Sequence, residues 1–170
     1  MQRQTTFGEA NTTKYPEQVA IAIAREAGGK CNPITLGWSM QTSSAPPMMV
    51  ISVGTTRHSL KVVRPAGEFV IAFPSELQEA DTMLFGTKSG RDTDKLAEAG
   101  TKTRPAVEID CVLLDDAVAN FECRLAGELE TGDHVIFVGQ VVCSHVNERP
   151  LNRLYTIGPR YDKMGGLARG

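Results

Sequence analysis

The chain has no apolar run long enough to cross a bilayer. Its longest purely apolar stretch is Val19 to Ala24, far short of the ~20 residues a spanning helix needs. The N-terminus lacks the basic-then-apolar pattern of a secretory leader, so a cytoplasmic protein without a membrane partner is expected, and the sequon at Asn11 carries no meaning. Charge of one sign is also missing. Lysine plus arginine total 18 against 20 acidic residues, which provides no basic field for a phosphate backbone and excludes nucleic acid as an expected partner.

Cysteines are few and scattered. Cys31, Cys111, Cys123 and Cys143 form no CxxC pair and have no histidine at zinc-ligand spacing, so no metal site is expected. Cys111, Cys123 and Cys143 fall in apolar runs, where a thiol behaves as a small hydrophobe, and buried rather than reactive cysteines are expected. HExxH, GxSxG, GxGxxG and GxxxxGK[ST] are all absent, which removes the corresponding zinc, serine-nucleophile, dinucleotide and phosphate-loop chemistries. There is no internal repeat and no stretch of linker composition.

What remains is ordinary globular composition, 41% hydrophobic and 22% charged, with residues 1–170 expected to form a single domain. Val19, Ile21 and Ile23 alternate with alanines from Val19 to Ala24, the period of a strand with one bulky and one small face. Gly28-Gly29 supplies a hairpin turn. Asn32 to Thr42 reads as one strand of irregular polarity, ending before Pro46-Pro47, where the ladder must break. Met48 to Val53 and Phe69 to Phe73 read as buried strands, with a short helix from Ser59 to Arg64 between them, stopped by Pro65 and Gly67.

Two helices are expected at Glu76 to Phe85 and Asp92 to Ala99, capped by Ser75, Ser89 or Asp92 and stopped by Gly86 and Gly100. Asp115-Asp116 reads as a turn. Phe121, Cys123, Leu125 and Leu129 alternate with Glu122, Arg124, Glu128 and Glu130, a strand with one wet face. After a tight turn at Thr131 to His134, Val135 to Val146 is apolar on both faces except at Gln140, Ser144 and His145, so its outer face must meet a helix or a second copy of the chain, and a homodimer is expected. Strands in hairpin order with short inserted helices specify a mainly β protein built on a closed antiparallel barrel, not a parallel α/β sheet.

Three stretches have the residues for ligand chemistry. Asn32 to Ser43 is too polar for a core strand, and Gly37 would let a flat heteroaromatic ring approach the backbone; an edge strand with a bulge at Gly37 explains the same pattern. Gly54 to Ser59 joins a strand end to a helix start and gathers backbone N–H groups, hydroxyls and the Arg57 guanidinium, a setting for an anion or for plain helix capping. Ser89, Arg91 and Lys95 repeat the combination. With acid–base machinery absent, a bound cofactor is the natural carrier of any reaction.

Taken together, NPITLGWSMQTSSAPPMMVISVG, TRHS, GEFVIAFP, SGRDTDKL and GDHVIFVGQVV are similar in order and spacing to the flavin reductase-like FMN-binding split barrels, most of all to the flavoredoxin type. The tail LYTIGPRYDKMGG, which includes Tyr161, matches that family's ending more loosely. The resemblance implies an antiparallel Greek-key split barrel binding FMN, with FAD an alternative, in a homodimer. It also implies reduction by NADH or NADPH and onward transfer to a flavin, an oxygenase or a redox protein. By the same resemblance, Thr35, Leu36, Gly37, Trp38, Ser39, Gln41, Thr42, Ser52, Val53 and Gly54 would contact the isoalloxazine and its tail. Arg57, His58, Ser59, Ser89, Arg91 and Lys95 would surround the phosphate. His134 is a candidate to approach the nicotinamide; no side-chain base is otherwise required. Two other activities share this sequence pattern: an FMN electron carrier without nicotinamide chemistry, and a non-enzymatic barrel that holds another ligand such as haem.

Overall fold

The structure, a computed structural model, describes residues 1–158 and the backbone of 164–167; Tyr161 lies outside the described residues. In chain order the elements are α1 (Phe7–Asn11), β1 (Glu17–Gln18), β2 (Ala20–Arg25), β3 (Cys31–Leu36), β4 (Ser39–Ser44), β5 (Pro47–Gly54), α2 (Leu60–Ala66) and β6 (Glu68–Pro74). A 3-10 turn at Glu76–Gln78 leads into α3 (Glu79–Thr87), followed by α4 (Lys95–Ala99), β7 (Thr103–Pro105), β8 (Val112–Leu114), β9 (Ala117–Thr131), β10 (His134–Val146), β11 (Arg153–Thr156) and β12 (Met164–Leu167). The architecture is mainly β and antiparallel with short inserted helices, the split barrel expected. Among the described residues no helix is long and apolar enough to cross a membrane.

Seven strands form the main sheet in the order β3-β2-β6-β9-β10-β5-β4. The strand expected from Asn32 to Thr42 is in fact two strands, β3 and β4, at opposite edges of this sheet. The chain crosses between the edges at Gly37-Trp38, where the Ser52 N–H donates to the Trp38 carbonyl at 2.9 Å and ties the corner to β5. The irregular polarity of this stretch marks the switch of edges, since a corner residue serves neither ladder.

β2 explains why the sheet has two cores. Its alanines, Ala20, Ala22 and Ala24, lie on the barrel interior with Ile51, Phe69, Ile71 and Phe137, and α2 adds Val62 and Val63. Ile21 and Ile23 point the other way, against Phe85 of α3 and Leu113 and Leu114 of β8. Both isoleucines are fully buried, and each contributes roughly 1.5–3 kcal/mol of transfer free energy. The small face leaves room for the large side chains opposite it.

The turns fall where glycine was expected, with Gly29 and Gly132 at positive φ. Several boundaries differ. Helix α2 runs through Pro65 to Ala66 and is closed by Gly67 in the left-handed conformation. Gly86 does not stop α3; it lies inside the helix because α3 packs closely on β3, where a Cβ at position 86 would sit 3.4 Å from Thr35 Cβ. Asp94, rather than Ser89 or Asp92, caps α4, accepting from the Ala97 N–H at 3.2 Å.

The expected wet face of β9 is also corrected. Glu122 is fully buried because the loop before β8 folds over it, and its carboxylate accepts from the N–H groups of Val107 at 3.0 Å and Glu108 at 2.7 Å. Leu129, expected inside, is 60% exposed, where β9 has run past its pairing with β6, which ends at Arg124. Cys31, Cys111 and Cys123 are buried as expected, whereas Cys143 is partly exposed.

Candidate functional site

A groove runs between the edge strand β3, the ends of β5 and β10, and helix α3. Its wider part, about 370 Å³, is lined by Ile34, Thr35, Leu36, Gly37, Trp38, Ser52, Val53, Gly54, Arg57, Thr82, Met83, Gly86, Thr87 and His134. A second part, about 260 Å³, is lined by Ile34, Thr35, Thr56, Arg57, His58, Ser59, Phe85, Gly86, Thr87, Lys88, Ser89, Gly90, Arg91 and Lys95. The two share Ile34, Thr35, Arg57, Gly86 and Thr87, so they are halves of one elongated site.

Each half has its own chemistry. The wider half is walled by apolar side chains and open backbone at Gly37 and Gly54, with Trp38 and His134 at ring-centroid separation 4.6 Å. His134 Nδ1 is 2.7 Å from Asp133 Oδ1, which holds the Asp133 carboxyl below the usual carboxylate range. Thr35 Oγ1 donates to the Thr82 carbonyl at 2.6 Å, fixing β3 to α3. The Thr82 hydroxyl is buried and has no partner among the described residues, a polar atom available to a ligand.

The narrower half collects Arg57, His58, Lys88, Arg91 and Lys95 and no carboxylate. Lys88 pairs with Glu98 and His58 Nε2 lies 3.1 Å from Glu26, while the guanidiniums of Arg57 and Arg91 have no acid partner among the described residues. Lys95 is only 3% exposed. Its ammonium donates to the Phe85 carbonyl at 3.2 Å, and burial, with Lys30 nearby, lowers its pKa to about 8. Two guanidiniums without an acid partner among the described residues, beside a buried ammonium, favour an anion with several acceptor oxygens. Behind it, Asn32 is buried and donates to Ser59 Oγ at 2.9 Å, and Gly90 lies so close that any Cβ there would collide with the Asn32 amide.

Thirteen of the sixteen residues expected to hold a cofactor line this groove: Thr35, Leu36, Gly37, Trp38, Ser52, Val53, Gly54, Arg57, His58, Ser59, Ser89, Arg91 and Lys95. His134 joins them. Ser39, Gln41 and Thr42 do not, because β4 leaves the corner along the opposite edge. Ser39 is buried, Thr42 is exposed, and the Gln41 amide donates to the Ser43 carbonyl and Ser44 Oγ. The wall formed by α3 was missed altogether. Its signal was the spacing of two small residues one turn apart, Thr82 and Gly86, which leaves a shallow helix face.

Comparison with known proteins identifies the family and the fold. A family model for the flavin reductase like domain matches residues 12–165. Among curated relatives, the actinorhodin polyketide dimerase of Streptomyces coelicolor is 31% identical over 142 residues, 84% of this chain and 77% of that protein. A flavin reductase (NADH) of Kitasatospora aureofaciens is 27% identical over 128 residues, 75% of this chain and 64% of the reductase, so the match spans less than two thirds of that enzyme. Among solved structures, flavoredoxin from Methanosarcina acetivorans aligns with a TM-score of 0.85 at 21% identity, covering 100% of this chain and 93% of the other. An FMN-binding protein from Thermus thermophilus, solved with bound p-hydroxybenzaldehyde, aligns at 0.84 and 23% identity, covering 99% and 97%. With the family model spanning nearly its whole length, the chain belongs to the flavin reductase-like domain family.

Proposed function

We propose that the chain binds FMN in the groove and acts as an NAD(P)H-dependent flavin reductase. One observation carries the reading: a slot of ring-sized volume with apolar walls continues into a pocket of basic side chains free of carboxylates. A flat ring joined to a phosphate by a flexible chain matches both halves. FAD would add a second nucleotide that this groove does not call for. The relatives named as flavin reductases support the activity.

FMN, once bound, supplies the hydride acceptor, and NADH or NADPH the donor. The protein's share is positioning and electrostatics. Gly37 and Gly54 let backbone approach a ring edge, Thr82 offers a hydroxyl, and Arg57, Arg91 and Lys95 neutralise the phosphate. Trp38 and His134 stand at one end of the ring slot, and we assign them to shaping the face on which a nicotinamide would stack. A homodimer is part of the reading. Its support is the outward face of β10, where Ile136 and Val138 are only partly covered, and the exposed Trp38 and Met40. A reduced-flavin acceptor such as an oxygenase or another redox protein completes the scheme.

The test is spectroscopic. Purified protein should bind FMN and give a flavin spectrum, and anaerobic mixing with NADH and NADPH should bleach it rapidly with at least one of them. Rapid reduction only by a protein or chemical donor would make the chain an electron carrier. Failure to take up FMN at all would sink both readings. Light scattering should give twice the mass of one chain.

A further inference from the structure

Away from the groove, three side chains of different chemistry converge on one point of the β9–β10 ribbon. Cys143 stands directly opposite Glu122 in the ladder, and His145, two residues further along β10, stands opposite Asn120. Because side chains alternate along a strand, Cys143 and His145 fall on one face, and Glu122 shares it across the ladder. His145 Nε2 is 2.6 Å from Glu122 Oε1 and 3.4 Å from Cys143 Sγ. The three donor atoms all lie within 4.8 Å of one another.

We infer that Glu122, Cys143 and His145 form a binding site for a zinc-class divalent cation. In tetrahedral zinc, bonds of ~2.3 Å to sulfur and ~2.0–2.1 Å to nitrogen put those two atoms roughly 3.5 Å apart, close to the separation found here. Nitrogen and oxygen ligands would stand roughly 3.3 Å apart, so the imidazole needs to withdraw from the carboxylate by only a fraction of an ångström. A thiolate, an imidazole and one carboxylate favour zinc over magnesium or calcium, which prefer all-oxygen cages.

The surroundings are those of a supported ligand set. The Glu122 side chain is fully buried and its two oxygens are aimed by the N–H groups of Val107 and Glu108, the outer hydrogen bonds that orient ligating carboxylates. His145 is 28% exposed on its side chain and Cys143 is partly exposed, so water can reach the fourth position. Binding forms a Zn–S bond, and the Cys143 thiol proton leaves to solvent.

None of the three residues lines the groove, so the site is independent of the proposed reductase activity. Its effect would be to pin the ribbon to the loop at Val107 and Glu108. Sequence spacing hid the cluster because Glu122 comes from a different strand, more than twenty residues before Cys143.

The test uses the purified full chain. Equilibrium dialysis against Zn²⁺, with metal counted by mass spectrometry, should give one zinc per chain, and the Cys143→Ser and His145→Ala variants should each weaken binding at least about a hundredfold while flavin uptake is unchanged. Should either variant fail to fold, the wild-type protein still decides: Zn²⁺ should slow alkylation of Cys143 by iodoacetamide, read by peptide mapping. Unprotected Cys143, absence of stoichiometric zinc, or binding that survives either substitution would each show that the trio is only a hydrogen-bonded cluster around a buried carboxylate.

Discussion

The indole of Trp38 and the imidazole of His134 lie 4.6 Å apart between ring centroids, with planes tilted by 45°. They come from the corner between β3 and β4 and from the first residue of β10, which is paired to Gly54. A Cβ at position 54 would sit 3.6 Å from His134 Nε2, so the imidazole rests against bare backbone at the end of the ring slot.

If this pair shapes the nicotinamide-facing surface, His134→Ala should slow anaerobic reduction by NAD(P)H by roughly tenfold to a hundredfold, the scale set by small losses of alignment. FMN affinity should change little. Stopped-flow reduction and flavin titration of the same preparation separate the two effects. Equal losses in both would make His134 a flavin-holding residue instead.

Arg57 and Arg91 are assigned to the phosphate. Replacing either with alanine should cost about 1.5–3 kcal/mol of FMN binding, the range for a charge-assisted hydrogen bond, or roughly tenfold to a hundredfold in Kd. Riboflavin, which lacks the phosphate, supplies the control. Its affinity should be unchanged in both variants, and a parallel loss for riboflavin would place these arginines elsewhere.

Lys95 predicts a pH dependence. Its folded pKa is about 8 against an ordinary 10.5, so the unfolded chain binds more protons than the flavin-free folded one across that window. Stability of the flavin-free protein should therefore rise with pH from about 8 to about 10.5. The phosphate is already dianionic by then, its second pKa being ~6. FMN binding should weaken as Lys95 loses its proton, approaching about tenfold between pH 7 and pH 9. Lys95→Met should bind FMN more weakly throughout and show a flat profile in fluorescence titrations.

Gly139 tests the barrel interior. A Cβ there would stand 2.7 Å from Phe69 Cζ and 2.8 Å from Cys123 Cβ, and both neighbours are fully buried. Gly139→Ala should destabilise the fold by about 1–3 kcal/mol through overpacking, a drop of roughly 3–10 °C in Tm for a chain of this size. Calorimetry of the variant checks it. An unchanged Tm would mean that Phe69 can move aside.

What could be read from the residues depended on whether a signal was local. The alternation of isoleucine with alanine in β2 is local, and it announced a strand with one bulky and one small face; that both are buried is known only from the structure. The turns at Gly29 and Gly132 and the basic residues of the narrow pocket were likewise visible from short segments. The split of Asn32 to Thr42 was not, because a corner at Gly37-Trp38 and a bulge there look alike until the partner strand is known. Glu122 was misjudged for a related reason: alternation assigns a face, but only the loop at Val107 and Glu108 decides whether that face is covered. The helix that became α3 was expected, but its part in the site was not, because the one signal, Thr82 and Gly86 one turn apart, gains meaning only once β3 is known to lie against that face.

The contact between Gly86 and Thr35 sets a limit on what can occupy the groove. Both residues line both halves, together with Ile34, Arg57 and Thr87, and Gly86 leaves α3 without a side chain where the helix comes closest to Thr35. A ligand with its ring in one half and its phosphate in the other must run its linker past this point. Enlarging residue 86 would disconnect the two halves, leaving a barrel that still accepts riboflavin while losing its preference for the phosphorylated form.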